Sequence, residues 1–317
     1  TYDSLGDYHK AIEYHQQSLK IAQEINDREG EGAVFGVLGN AYYSLRDYPK
    51  AIEYHEQHLK IAQEIKERQG EGAALGNLGS IYNDLGDYPK AIEYHHKHLK
   101  IAQEINNRLS ERQALGNLGL VYHNLGDNLK AIEYQQQSLK IAQEIQDLQG
   151  EGQSLGNIGI AYLALKDYPK AIKYIQQMLK ISQKINDRSG EMAGLNNLGI
   201  AYRNLEDYPK AIEYQQQSLK IAQEIQDRKV QSDALGSLGN TYYSLGDYPQ
   251  AIEYHQQRLK IAQKIKDTRG EGTALNNLGL NYYKQGNLKL AESILFEGVR
   301  VLESLRGQKL NGQKLND

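Results

Sequence analysis

The sequence predicts an all-α solenoid in which antiparallel helix pairs stack along one axis and each pair buries its apolar face on its neighbours. Three observations predict it. Tyr48, Tyr88, Tyr168, Tyr208 and Tyr248 stand in one recurring phrase, spaced by multiples of 40 residues with no insertion or deletion. Within each copy, two successive stretches carry apolar residues at the helical period. Between them, proline and acidic residues recur at fixed positions that suit helix starts.

The first stretch of a unit, helix A, is seen in the second copy. Phe35, Leu38, Gly39, Tyr42 and Leu45 fall on one helical face. Helix B follows, with Ala51, Ile52, His55, Leu59, Ala62 and Ile65 on one face and Tyr54 and Ile61 as a flanking row. The five prolines, Pro49, Pro89, Pro169, Pro209 and Pro249, share one position, two residues after an Asp that can cap helix B. Asp27, Asn107, Asp147, Asp187, Asp227 and Asp267 recur where helix B hands over to the next helix A, as N-caps. Glu67 breaks that row, and the helix after it is expected to fray more. Both joins are short, so neighbouring helices run antiparallel.

This reading divides the chain into a partial N-terminal repeat at 1–27 (the end of a helix A plus a helix B), seven repeats at 28–306 and a polar tail or linker at 307–317. In the last repeat Leu288, Ala291, Leu295, Leu302 and Leu305 keep a helical face while the Tyr-Pro and Glu-Tyr phrases are lost, as a C-terminal cap would require. The tail repeats itself, 307–311 being copied as 312–316. Because Thr1 falls in the middle of a unit, the natural N-terminus is expected to lie upstream.

Composition narrows the function classes. A 317-residue chain with a formal net charge of -3 and its Lys and Arg scattered through every copy has no basic stripe for nucleic acid. It has no cysteine, hence no disulfide framework, thiolate nucleophile or Cys-based zinc site, and a reducing, cytoplasmic setting is compatible. No apolar run approaches the roughly 20 residues that cross a bilayer. Membrane partners and cofactors are therefore not expected.

The phrase Leu38-Gly39-x-x-Tyr42 with a later Ala51 resembles the tetratricopeptide repeat, and the likeness runs from Thr1 to about Arg306. The period alone also fits HEAT-type repeats, but the Leu-Gly-x-x-Tyr phrase favours the tetratricopeptide. Two features depart from that pattern. The aromatic expected four residues after the Ala is His15, His55, His95, His255, Gln135, Ile175 or Gln215, and the closing Pro of the shorter unit is absent because helix B runs on. The long unit is similar to Pins/LGN adaptors, and the Leu-Asn-Asn-Leu-Gly variants at 195–199 and 275–279 to kinesin light chain. The helix at 295–306 resembles the one that closes the repeats of bacterial proteins with a downstream CHAT protease domain. The resemblance implies a right-handed superhelix whose inner wall, lined by helix A, holds a peptide or protein segment.

On that wall the copies form ladders. Asn77, Asn117, Asn157, Asn197 and Asn277 make one rung per helix, interrupted by Val37 and Ser237. A primary amide donates and accepts at once, so stacked asparagines suit the main chain of an extended peptide; the plain alternative is bonding to the neighbouring helix and water. The glycines one residue earlier, Gly36, Gly76, Gly116, Gly156 and Gly236, each cost about 1 kcal/mol against Ala, so either a ligand or the adjacent helix needs the room. Selectivity is expected where copies differ: Tyr43, Asn83, His123, Leu163, Arg203, Tyr243 and Tyr283, then Asp84, Asn124, Asn204 and Lys284, and the row Asn40, Ser80, Leu120, Ile160, Ile200, Asn240 and Leu280. These rows predict a groove apolar at its centre, with Tyr at its rims.

His95, His96 and His98 place two imidazoles one turn apart, which falls short of a zinc ligand set, and packing explains them better. No nucleophile, acid–base pair or phosphate loop occurs once only, as an active site would. The sequence thus predicts a non-enzymatic scaffold that binds a peptide or protein segment. Two alternatives stay open: the regulatory arm of a larger signalling or CHAT-protease protein, and a structural module that self-associates through its truncated N-terminal end.

Overall fold

A computed structural model describes residues 8–313, with side chains described for residues 8–304. Among the described residues the regular elements are fifteen helices, with no strand. The chain divides into two compact units, Thr1–Leu165 and Lys166–Asp317.

The first unit contains α1 (Tyr8–Glu24), α2 (Arg28–Ser44), α3 (Tyr48–Glu64), α4 (Arg68–Leu85), α5 (Tyr88–Glu104), α6 (Arg108–Leu125), α7 (Asn128–Glu144) and α8 (Leu148–Ala164). Here α1, α3, α5 and α7 are helices B, and the others are helices A. Each helix packs on the next, and the A helices also pack directly on one another, α2 on α4, α4 on α6 and α6 on α8. The second unit contains α9 (Tyr168–Lys184), α10 (Arg188–Asn204), α11 (Tyr208–Glu224), α12 (Arg228–Leu245), α13 (Tyr248–Lys264), α14 (Thr268–Lys284) and α15 (Leu288–Gln313). In it, α10 packs on α12 and α12 on α14 in the same manner.

The helix starts follow from the acidic residues in the joins. Asp47 and Asp87 accept from the backbone N–H of Lys50 and Lys90 at the starts of α3 and α5, beside prolines whose missing N–H costs nothing there. Asp27 and Asp147 do the same for Gly30 and Gly150 in α2 and α8. Glu67 is no exception: its carboxylate accepts from both Gln69 N and Gly70 N, so α4 has a capped start where fraying was expected. Its longer side chain reaches the same donors by folding back.

Within each unit the A–B pairs are antiparallel, as the order of contacts shows for α2 and α3. Gly32 faces Ile61, Gly36 faces His58, and Gly39 faces His55. Leu38, Leu78, Leu118 and Ile158 of the first unit and Leu198 and Leu238 of the second are fully buried, with Ala51, Ala91, Ala131 and Ala211 opposite at 0–1% exposure. Small alanines on B and glycines on A let the two backbones approach closely. Tyr42 stacks on Tyr54 at 5.3 Å between ring centres, and Tyr82–Tyr94, Tyr122–Tyr134, Tyr202–Tyr214 and Tyr242–Tyr254 repeat the pair. Ile61, placed in the flanking row, belongs to the core at 2% exposure, whereas Ile65, assigned to the apolar face of helix B by periodicity, is 38% exposed because it lies past the last turn as the C-cap.

At the ends of the chain two expectations meet the structure in part. The helix-A residues expected within 1–7 lie outside the described residues. α15 runs on to Gln313, so the first part of the 307–317 segment continues a helix, and Lys314–Asp317 lie outside the described residues. Ala291 of the expected apolar face is buried, and Leu295 and Leu302 press against Gly279 and Gly272. Leu288, in the first turn, is exposed.

Candidate functional site

Helices α4, α6 and α8 lie side by side in the first unit, and their exposed flanks line a cavity of about 1200 Å³. Asn77, Asn117 and Asn157 come from the same position of the three helices, and all three line it. Each is half-buried, because its backbone belongs to a packed helix while its amide projects from the wall. Asn77 Nδ2 donates to Asn40 Oδ1 at 3.3 Å. Among the described residues Asn117 and Asn157 have no protein partner, and their amide atoms are not sealed from solvent.

The floor of the cavity is built from helix B side chains that reach between the A helices. Gln135 Nε2 donates to Gly116 O at 2.8 Å. Ser138 Oγ donates to Arg112 O at 3.1 Å and lies 3.0 Å from Ser154 Oγ, so one residue of α7 ties α6 to α8. His98 Nε2 lies 2.7 Å from Ser110 Oγ at the start of α6. Burial drives the His98 imidazole down to about 4, so it is neutral near pH 7.

Electrostatically the cavity is balanced. Its fixed charges are Arg112, whose side chain is 11% exposed, and Asp147, whose Oδ2 lies 2.9 Å from Arg112 Nε. Gln69, Gln113, Gln149 and Gln153 add further amides, and Leu109 and Leu120 supply exposed apolar contact at 48% and 41% exposure. A lining rich in amides, with its one ion pair internally compensated, suits hydrogen bonding to a neutral polar main chain.

Other expected site residues of the first unit lie elsewhere. Asn40 is engaged by Asn77 as above. Tyr43 OH donates to Asp84 Oδ2 at 2.7 Å, and burial, then that carboxylate, pushes the phenol well above its usual range. His123 Nδ1 pairs with Asn128 Oδ1 at 2.7 Å, turned toward the join between α6 and α7. Ile160 and Leu163 are half-buried on α8 and do not line the cavity, whereas Leu120 does.

In the second unit Asn197, Ile200 and Arg203 are half-buried on α10. Desolvation holds the Arg203 guanidinium below its ordinary value, against the opposing influence of Tyr168 and Tyr208. Asn277 Nδ2 donates to Asn240 Oδ1 at 3.1 Å, repeating the Asn77–Asn40 bond. Tyr243 sits 5.8 Å from Tyr248 in a tilted pair, and Tyr283 is 58% exposed.

In the glycine row beginning at Gly36, three positions are filled by the paired helix B, whereas a Cβ on Gly116 would have only Ser138 Oγ near it, at 3.4 Å. A Cβ on Gly36, Gly76 or Gly236 would meet His58 Nδ1 at 3.0 Å, His98 Nδ1 at 2.9 Å or an Arg258 guanidinium nitrogen at 2.7 Å, so a side chain of the paired helix B fills the room. Among the described residues no group of three or more His, Cys, Asp or Glu could hold a metal, and His55 and His95 are core side chains at 1% exposure. Sequence reasoning missed Arg112 and the glutamines. The signal was present, since Arg112 replaces Gly32, Gly72 and Gly152, and Gln113 and Gln153 replace Ala33 and Ala73. It lies in the first turns of helix A, ahead of the Leu-Gly-x-x-Tyr phrase that carries the ladders.

A family model described as tetratricopeptide repeat matches residues 2–64, 71–144, 150–224 and 230–304. No curated protein matches the chain. Among solved structures, RapI in its apo form is 17% identical with a TM-score of 0.71, over 87% of this chain and 99% of its own. A Rap protein complexed with competence and sporulation factor is 15% identical with a TM-score of 0.63, over 97% and 87%. A signal-transduction ATPase with a tetratricopeptide repeat sensor, from Pyrococcus horikoshii, is 19% identical with a TM-score of 0.66, over 100% of this chain and 51% of its own. At these identities the likeness concerns the fold. No described helix is long and apolar enough to cross a membrane.

Proposed function

Because the chain belongs to the tetratricopeptide repeat family, we propose that it is a non-enzymatic scaffold that holds an extended, largely uncharged peptide segment in the groove of its first unit. The observation that carries this is the pair Asn117 and Asn157: two amides open to a cavity of about 1200 Å³, with no protein partner among the described residues, on a wall whose charges cancel. An unpaired amide facing water gains from a main-chain partner that supplies both a C=O and an N–H. The similar Rap structure holds competence and sporulation factor, which supports the class of ligand without naming this one. The expected second-unit residues Asn197, Ile200, Arg203, Asn240, Tyr243, Asn277 and Tyr283 extend the reading to a second contact surface.

An array of immobilised nine-residue peptides, probed with the wild-type protein and with an Asn117→Leu/Asn157→Leu double variant, tests it. A subset retained by the wild type and lost by the variant is expected. Equal retention by both would remove the groove from the function. Leu163→Asp and Ile200→Asp, made separately, test the apolar rows in each unit by the same readout.

A further inference from the structure

The three asparagines form a ruler, and its spacing selects among peptide conformations. Asn77, Asn117 and Asn157 stand at equivalent positions of α4, α6 and α8, which pack directly on each other. Packed helix axes lie about 8–10 Å apart, so one amide recurs about every 9 Å along the wall.

Three regular peptide conformations can be laid against that ruler. An α-helix rises about 1.5 Å per residue and spends its carbonyls on its own hydrogen bonds, so it offers the ladder little to bond. A β-strand rises about 3.3 Å per residue, which brings roughly every third residue to a rung. Because strand side chains and main-chain groups alternate with a period of two, successive rungs would meet opposite faces. A polyproline II helix has three residues per turn and rises about 3.1 Å per residue, a repeat of about 9.3 Å. It presents the same face at every rung. It also has no internal hydrogen bonds, which leaves its carbonyls free for amide donors.

The lining agrees with that choice. The glutamines at 69, 113, 149 and 153 flank the asparagine row and can pair with neutral polar side chains. Arg112 is already compensated by Asp147, so no fixed charge demands a charged residue in the ligand.

We infer that the groove of the first unit selects a polyproline II segment with a three-residue frame, placing a neutral polar residue at each asparagine rung and accepting proline at the two positions between. This rests on the groove reading above and specifies the ligand's conformation.

The probes are two fluorescein-labelled twelve-residue peptides, four copies of Gln-Pro-Pro and six copies of Gln-Thr, titrated by fluorescence anisotropy. The expected result is that the Gln-Pro-Pro peptide binds about tenfold more tightly than the Gln-Thr peptide. Asn117→Leu should weaken it roughly five- to tenfold, as the loss of one or two hydrogen bonds would. Lys220→Ala, at an exposed position of α11 in the second unit, should leave it unchanged, and circular dichroism of each variant verifies that it is folded. If the Gln-Thr peptide binds as tightly or more tightly and still loses affinity in Asn117→Leu, the polyproline inference is overturned and the groove reading stands. If neither peptide binds, or Asn117→Leu has no effect on either, the inference is overturned as well, and the peptide array decides separately whether the groove binds at all.

Discussion

Gly79 of α4 and His95 of α5 are complementary in shape: a Cβ built on Gly79 would lie 2.6 Å from His95 Cε1, and the imidazole beside it is 1% exposed. The same contact recurs between Gly39 and His55 and between Gly239 and His255, and Gly119 meets Gln135 in the same way. A glycine within a helix is unfavourable by itself. Here it makes the slot into which the paired helix inserts a large side chain.

Gly79→Ala should therefore destabilise the protein although alanine is the better helix former. Overpacking a tight core costs about 1–3 kcal/mol, and the propensity gain returns about 1 kcal/mol, so a net loss of up to about 2 kcal/mol is expected. In a His95→Ala background the same substitution should be neutral or stabilising. Urea denaturation of the four proteins measures the coupling, and equal effects in both backgrounds would contradict the slot.

Acid should weaken the fold earlier than carboxylate titration alone requires. Burial drives His55 and His255 to about 4 and His95 to about 3, with His98 at about 4; His58 adds repulsion to His55, and Arg258 to His255. The unfolded chain takes up these protons near pH 6.5 and the folded chain does not. Stability is thus complete above about pH 6.5 and is lost as pH falls toward about 4, on the order of 3 kcal/mol for each imidazole. His95→Gln should flatten the dependence, because Gln135 and Gln215 already occupy the same place in their own repeats, at 0–1% exposure. Thermal melts from pH 7.5 to 4.5 would show the difference in slope.

Arg46→Gly should raise stability. Arg46 follows helix α2 with φ +60, a left-handed conformation that L side chains resist, whereas Gly86, Gly126 and Gly246 occupy the same turn of other repeats with φ +80 to +93. Part of the gain is offset by the freer unfolded chain, leaving several tenths to about 1 kcal/mol. Gly126→Arg should move the melting temperature the other way. A rise in both variants would place the strain elsewhere.

Asn117→Leu should separate binding from folding. The side chain is half-buried and has no protein partner among the described residues, so stability should stay within about 0.5 kcal/mol of the parent. Peptide retention on the array should fall. A large loss of stability would mean that the amide serves the scaffold after all.

Much of the fold was legible because the chain repeats itself. Leu38, Ala51 and the Asp caps recur in register, and a period seen many times needs no tertiary information to be read as stacked helix pairs. The candidate site was legible only in part. The asparagine row was visible as a ladder, and Asn77, Asn117 and Asn157 do share one cavity. Tyr43 and His123 varied between copies as binding residues would, but they bond Asp84 and Asn128 of their own chain. Variation between repeats marks either a ligand contact or a locally matched partner, and one sequence cannot separate the two.

The sequence by itself determined the element order, the caps, the apolar faces and the family, because these depend on neighbours a few residues away and are restated in every repeat. The tertiary structure decided which side of helix A is occupied. Gly36 and Gly76 lie in the row once open to either a ligand or a helix, and the side chains of His58 and His98 from the paired helices fill their room. It also decided that Arg112 and Asp147 compensate one another 35 positions apart, which leaves the cavity lining without net charge. Such pairings depend on how closely two backbones approach, and that distance is set by packing across the stack, beyond the reach of any local pattern.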